Sequence, residues 1–229
     1  MQPYLFPYLG YFQLINAVDA FVILDDVQYI KQGWINRNQI LVHHKSKMFT
    51  LPVKRDSYAR YINERYYNDT TFDADKKSIL DLLYHAYKRA PYFSDVTELI
   101  HEIFDITNLN VAEFNTHSLS VICDYLGIDA RFIIASRMGR RRDLNREDSV
   151  IAMNRLVGAE CCLTPIGGKE LYSKNAFRRQ GVDLWFLEMN DISYPQFGPR
   201  FVPSLSIIDV MMFNSQERIG ELLQCYTLS

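Results

Sequence analysis

Apolar residues along this chain fall into short runs and helical stripes, and their order sets the first expectations about its architecture. Phe12, Leu14, Ile15 and Val18 recur at helical spacing and predict a short helix over residues 8–18. Pro7 stands near its beginning, where a missing backbone donor costs least. The run AFVIL at residues 20–24 has the compactness of a buried strand and stops abruptly at Asp25 and Asp26. Residues 29–39 are polar and aromatic, and after His43 and His44, either of which could act as an acid or base near neutral pH, residues 45–47, Lys-Ser-Lys, read as an exposed turn. Residues 48–53 then predict another strand, which Pro52 places at an edge or ends early.

Three helices follow by pattern, over residues 75–89, 96–106 and 119–126. Ile79, Leu82, Leu83 and Ala86 form the stripe of the first, and Gly127 closes the third. Beyond them strands at 131–135, 161–164 and 182–187 alternate with helices at 147–156 and 172–179, and terminal helices cover 205–213 and 219–223. Alternation with short connections predicts a parallel sheet with covering helices. The expectation is a single α/β domain over residues 1–229, with a mostly parallel Rossmann-like sheet and residues 75–127 as a central helical insertion or cap.

Composition narrows the classes of partner. A chain of 229 residues is within the range one hydrophobic core can serve. Fifteen Tyr and fourteen Phe beside two Trp mean that half the rings bring a hydroxyl needing a polar partner when enclosed. The net charge of -2 argues against nucleic acid, whose binding draws on phosphate neutralisation. The run Arg140, Arg141 and Arg142 reads as a solvated loop. Cys123, Cys161, Cys162 and Cys225 lack CxxC spacing, and adjacent strand residues face opposite ways, so no metal set is expected. They read as reduced thiols of a cytoplasmic protein, and no uninterrupted apolar span predicts membrane insertion.

The chemistry-bearing residues cluster at the ends of these elements. Gln2, Tyr4, Tyr8 and Gly10 precede or open the first helix, whose free amides can hold an anion. Asp25 and Asp26 can orient a hydroxyl or accept a proton, and are equally able to cap a turn. Asn36 and Arg37 offer amides and a guanidinium fork, and Lys54 is an anion-binding candidate. Gly167, Gly168 and Lys169 follow the 161–164 strand and can meet phosphate or carboxylate, although GxxxxGK[ST] is not complete. Ser204 and Ser206 read as helix caps. No cofactor is named by any motif.

Taken together, MQPYLFPYLGYFQL, FVILDDVQYIKQGWINRNQI, GGKELY and FVPSLSIIDVMMFN resemble the WbqC-like protein family over nearly the whole chain. The resemblance implies a bacterial protein associated with surface-polysaccharide or O-antigen biosynthesis. It also implies a pocket that includes Gln2, Tyr4, Tyr8, Gly10, Asp25, Asp26, Asn36, Arg37, Gly167, Gly168 and Lys169. Members usually carry a short apolar strand ahead of the segment matching Met1-Gln2-Pro3, and its loss would expose a sheet edge. The opening is also similar, more distantly, to nucleotidyltransferases and class I aminoacyl-tRNA synthetases. Tyr8-Leu9-Gly10-Tyr11 stands where those proteins have HxGH, and tyrosine cannot supply an imidazolium. The expected activity is transfer from an activated small molecule or a nucleotide-linked sugar, with catalysis at Asp25 or Asp26. The alternative is a non-catalytic nucleotide- or sugar-binding partner of a biosynthetic enzyme.

Overall fold

The first apolar stripe becomes helix α1 (Leu9–Asn16), which buries every residue from Leu9 to Ile15. In the computed structural model, which describes residues 1–57, 59–139 and 143–229, it leads into strand β1 (Ala20–Ile23). The run Arg140, Arg141 and Arg142 lies outside the described residues.

The α/β class is as expected. The one continuous sheet is not, because the described strands form three small sheets. Strand β1 pairs in parallel with β4 (Arg131–Ile134), setting Phe21 opposite Phe132 and Ile23 opposite Ile134. Strand β5 (Cys161–Pro165) pairs in parallel with β6 (Asp183–Met189), and β7 (Tyr226–Leu228) adds antiparallel to β6. The third sheet corrects the sequence expectation. Residues 45–47 are not a turn but the start of β3 (Lys45–Thr50), paired antiparallel with β2 (Arg37–Val42). The turn is His43 and His44 alone, at φ 49 and 62. Positive φ at both central residues matches the twist of the flanking strands, as two-residue hairpins require.

The middle of the chain is three helices: α2 (Phe72–Tyr87), α3 (Phe93–Phe104) and α4 (Val111–Leu126). Helix α4 begins eight residues before the apolar pattern indicates. Asn110 starts it by accepting the backbone N–H groups of Ala112 and Glu113, and Gly127 ends it at φ 67, in the left-handed region where glycine has no Cβ penalty. Helices α5 (Arg146–Leu156), α7 (Ile207–Phe213) and α8 (Gln216–Leu223) are likewise capped, by Asn145, Ser206 and Ser215, with the short α6 (Lys174–Arg179) between α5 and α7. No helix among the described residues is long and apolar enough to cross a membrane.

The core is divided. The larger cluster gathers the N-terminal segment, α1, β1, the hairpin and helices α2, α3, α4, α7 and α8. A smaller one contains Ile151, Cys162, Phe177, Val182, Leu184 and Phe186, from α5, α6 and the β5–β6 pair. Leu163 and Leu187, on the opposite face of that pair, pack with the larger cluster. The first face of β5–β6 is thus closed by apolar groups, while the second is closed toward Leu187 and leaves Cys161, Asp183 and Trp185 exposed.

Candidate functional site

The site is built from the N-terminal segment upward. Met1 lies against β1 as the last residue of a strand would: its amino group donates to the Val22 carbonyl at 2.6 Å, and its carbonyl accepts from the Leu24 N–H at 2.7 Å. The chain then turns through residues 3–7 into α1, and that turn is held from several directions. Asn115 Nδ2 donates to the carbonyls of Pro3 and Ile35 at 2.9 and 2.7 Å. Asn38 Nδ2 donates to those of Leu5 and Phe6 at 3.1 and 2.8 Å, and Ser206 Oγ also donates to Phe6 at 2.7 Å. Backbone bonds Leu5 N–H to Ile35 and Ile207 N–H to Pro7 complete the hold. Asn38, Asn115 and Ser206 are all buried, so each unsatisfied group here would cost its full desolvation.

Phe6 sits at φ 45, in the left-handed region that a bulky side chain enters only under constraint. Such a residue stores about 1–3 kcal/mol of strain and persists where its surroundings over-determine it. Its ring is fully buried between Phe49 and Phe104, at centroid distances of 6.3 and 6.1 Å.

This turn fixes the first group of candidate residues. Gln2 is half-buried: its carbonyl accepts the Tyr11 hydroxyl at 2.7 Å and its side-chain oxygen faces the Tyr4 hydroxyl at 3.4 Å. The Tyr4 ring lies 5.7 Å from that of Tyr11. Tyr8, 38% exposed, folds its ring over Gly10 so closely that a Cβ on Gly10 would stand 2.5 Å from Tyr8 Cε2. Desolvation raises the pKa of both Tyr4 and Tyr8, so both hydroxyls stay protonated donors at neutral pH. No side chain caps α1; in its first turn the Tyr11 N–H bonds the Tyr8 carbonyl at 3.0 Å, and Leu9 and Gly10 are buried.

Asp25 and Asp26 follow β1, and both are buried. The Asp25 carboxylate ties the ends of β1 and β4 together. Its Oδ1 accepts the Ser136 N–H at 2.9 Å, and its Oδ2 accepts the Ser136 hydroxyl at 2.5 Å and Asn63 Nδ2 at 3.0 Å. Three of its roughly four acceptor positions are thus filled, leaving room for one further donor. Because Met1 pairs beside β1 and Gln2 follows it, Gln2 and Asp25 emerge at the same, carboxyl end of that strand.

Asn36 and Arg37 brace the loop after Asp26. Asn36 Oδ1 accepts the Tyr29 hydroxyl at 2.8 Å while its Nδ2 donates to Leu51. Arg37 donates to the Gly33 carbonyl at 3.0 Å and to that of Gln32. Lys54 is paired with Asp69 at 2.7 Å, both well exposed, so its charge is already answered. Gly167, Gly168 and Lys169 form a short 3-10 turn, Ile166–Glu170. Gly168 is buried for packing: a Cβ there would meet Thr164 Oγ1 at 2.8 Å. Gly167 and Lys169 are exposed, and the Lys169 ammonium lies 5.8 Å from the centre of the Phe186 ring. No group of three or more His, Cys, Asp or Glu among the described residues is placed to hold a metal ion.

Three residues that shape the site carry weak or no sequence signals. Asn115 had one, a polar residue in the stripe of Val111, Leu119 and Ile122 where an apolar one is expected. Ser136 stands just past β4, and Asn63 has no local mark at all.

No solved structure matches the chain. Uncharacterized protein Rv1507c of Mycobacterium tuberculosis is 26% identical over 222 residues, covering 96% of this chain and 94% of that protein. The WbqC-like protein family matches residues 2–221, which span the turn, both acids and the glycine turn, and the chain belongs to that family.

Proposed function

We propose that this protein is a cytoplasmic transferase acting on an activated small molecule or nucleotide-linked sugar in bacterial surface-polysaccharide assembly. The observation that carries the reading is the over-determined turn at residues 3–7, which holds a strained Phe6 and fixes two phenol donors at the end of a parallel strand pair. Strain of this kind concentrates at ligand sites, where it buys preorganisation. On this reading the two parallel pairs belong to a Rossmann-like arrangement, in which ligands bind beyond the carboxyl ends of the strands. Tyr4, Tyr8 and Gln2 enclose and hydrogen-bond the ligand, and Arg37 and Lys169 face its anionic group. Asp26 orients the acceptor hydroxyl, while Asp25 holds the β1–β4 end rigid and offers its remaining acceptor position. Rate then comes from alignment and from stabilising developing charge, without a covalent enzyme intermediate.

Turnover assays that pair nucleotide sugars, acyl donors and aminoacyl donors with hydroxyl and amine acceptors test this reading. Product formation is expected, with Tyr4→Phe lowering kcat/KM roughly tenfold or more, the loss of one directed hydrogen bond, at unchanged melting temperature. A second reading has one observation in its favour: the Asp25 carboxylate is committed to Ser136 and Asn63 rather than to proton transfer. Saturable ligand binding without product, across all pairs, would replace the transferase with a binding partner of another biosynthetic enzyme.

A further inference from the structure

Strand β4 keeps one edge without a partner among the described residues, since β1 alone pairs with it. In a parallel ladder successive residues point their N–H and C=O groups to alternate sides. Arg131 N–H bonds the Asp19 carbonyl, so Arg131 and Ile133 serve β1 while Phe132 and Ile134 turn their peptide groups to the open edge. An open edge of this kind is a template for pairing with another chain.

The side chains around that edge are largely apolar. Phe132 and Ile134 pack on the larger core, and the Phe132 ring meets that of Phe21 at 6.0 Å. Ile133 alternates to the other face, where it is half-buried and belongs to neither apolar cluster. It lines a groove with Leu156 and Val157, from the end of α5, and with Arg137 and Met138. Leu156 is 56% exposed, so the apolar surface beside the open edge is one that association would bury. Charge is arranged about the same point. Asp129 and Arg137 stand equally far before and after Ile133, both are exposed, and neither has an ion-pair partner among the described residues.

We propose that β4 is the contact between two copies of this chain, antiparallel about a two-fold axis that passes Ile133. Phe132 of one copy and Ile134 of the other then form a hydrogen-bonded pair on each side of the axis. Ile133 faces its own counterpart at the close, non-bonded position. The occupant is a second copy because a two-fold contact must be self-complementary, and the charges meet that condition. Equal spacing about Ile133 carries Asp129 of each copy toward Arg137 of the other, with Leu156 of both closing over the Ile133 pair. One short strand makes a small contact, so monomer and dimer exchange with concentration. The turn Ala135–Arg137, inside the contact, carries Ser136, whose N–H and hydroxyl both hold Asp25. The dimer thereby braces Asp25, whether or not the protein is a transferase.

Sedimentation velocity over roughly a hundredfold range of protein concentration tests the contact, with amide exchange read on the same samples. A dimer is expected at the upper end, with exchange at the Phe132 and Ile134 amides slowed about tenfold or more. Ile133→Lys sets like charges directly opposite each other and should raise the dissociation constant about tenfold or more, at unchanged melting temperature in dilute solution. Arg137→Asp should weaken the dimer by roughly as much, and adding Asp129→Arg to it should restore the affinity. A protein that stays monomeric throughout overturns the proposal. So does a dimer that Ile133→Lys leaves intact, or one that protects neither amide. If Ile133→Lys does not fold, the charge exchange decides alone: a double variant no tighter than Arg137→Asp overturns the antiparallel contact.

Discussion

The turn over residues 3–7 hangs from distant elements, with Asn38 on β2, Asn115 on α4 and Ser206 at the head of α7 all donating to its carbonyls. The turn Ile166–Glu170, also rich in bends and also set at the end of a parallel strand, is held locally, its Gly168 carbonyl accepting the N–H groups of Leu171 and Tyr172. The first is fixed by the same bonds that join the larger core together, so its geometry is as stable as the fold. The second can change shape at the cost of two local bonds. A preorganised wall and an adjustable one are what a ligand site assembled from separate strand ends would combine.

The contrast is broken most directly at Asn115. Replacing it with Ala removes both donors to Pro3 and Ile35 and strands the Tyr67 hydroxyl, which donates to Asn115 Oδ1 at 2.6 Å. All three partners are enclosed, so the loss is about 3 kcal/mol, and the melting temperature is expected to fall by roughly 6–12 °C. Thermal unfolding followed by circular dichroism reads this. A fall of under about 2 °C would mean that the turn does not hang from α4.

That hold also explains which parts of the molecule could be read from the sequence. Strands β1, β4, β5 and β6 and helices α2 and α3 contact other apolar groups, so their burial is written as runs and stripes. Strand β2 is not, because its first half is Arg37, Asn38 and Gln39, and Asn38 is buried to bond a turn some thirty positions earlier. Helix α4 looked short for the same reason, since Asn115 and Ser118 occupy its buried face. The continuous parallel sheet was over-read: alternation fixes the order of strands but not whether neighbouring pairs touch. At the candidate site, Asp25 and the aromatic turn were visible as residue types. Their partners Ser136 and Asn63 were not, because a bond spanning 111 positions leaves no local pattern.

Gly168 sharpens the other side of the comparison. Gly168→Ala puts a Cβ 2.8 Å from Thr164 Oγ1 and 3.2 Å from Tyr172 Cδ2, contacts that a local turn can relieve by shifting. The expected loss is about 1–2 kcal/mol, visible in chemical denaturation as a lower midpoint with an unchanged slope. A loss as large as that of Asn115→Ala would show that this turn, too, is rigidly tied to the core, and the two walls would no longer differ.

Lys169→Ala has the smallest expected effect on stability and says most about ligand handling. Lys169 is exposed, and its one described contact is the Phe186 ring at 5.8 Å, near the limit at which a cation and a ring attract. Removing it should change stability by no more than about 0.5 kcal/mol. If the turn Ile166–Glu170 closes on an anionic ligand, the same substitution removes a charge-assisted contact that binding would desolvate. Affinity for a nucleoside diphosphate sugar that binds the parent protein should then drop about tenfold or more, measured by titration calorimetry. Lys169→Arg, which keeps the charge, should restore part of it. Equal affinity in all three proteins would reduce the glycine turn to a connector between β5 and α6, leaving the clamped N-terminal turn as the whole of the candidate site.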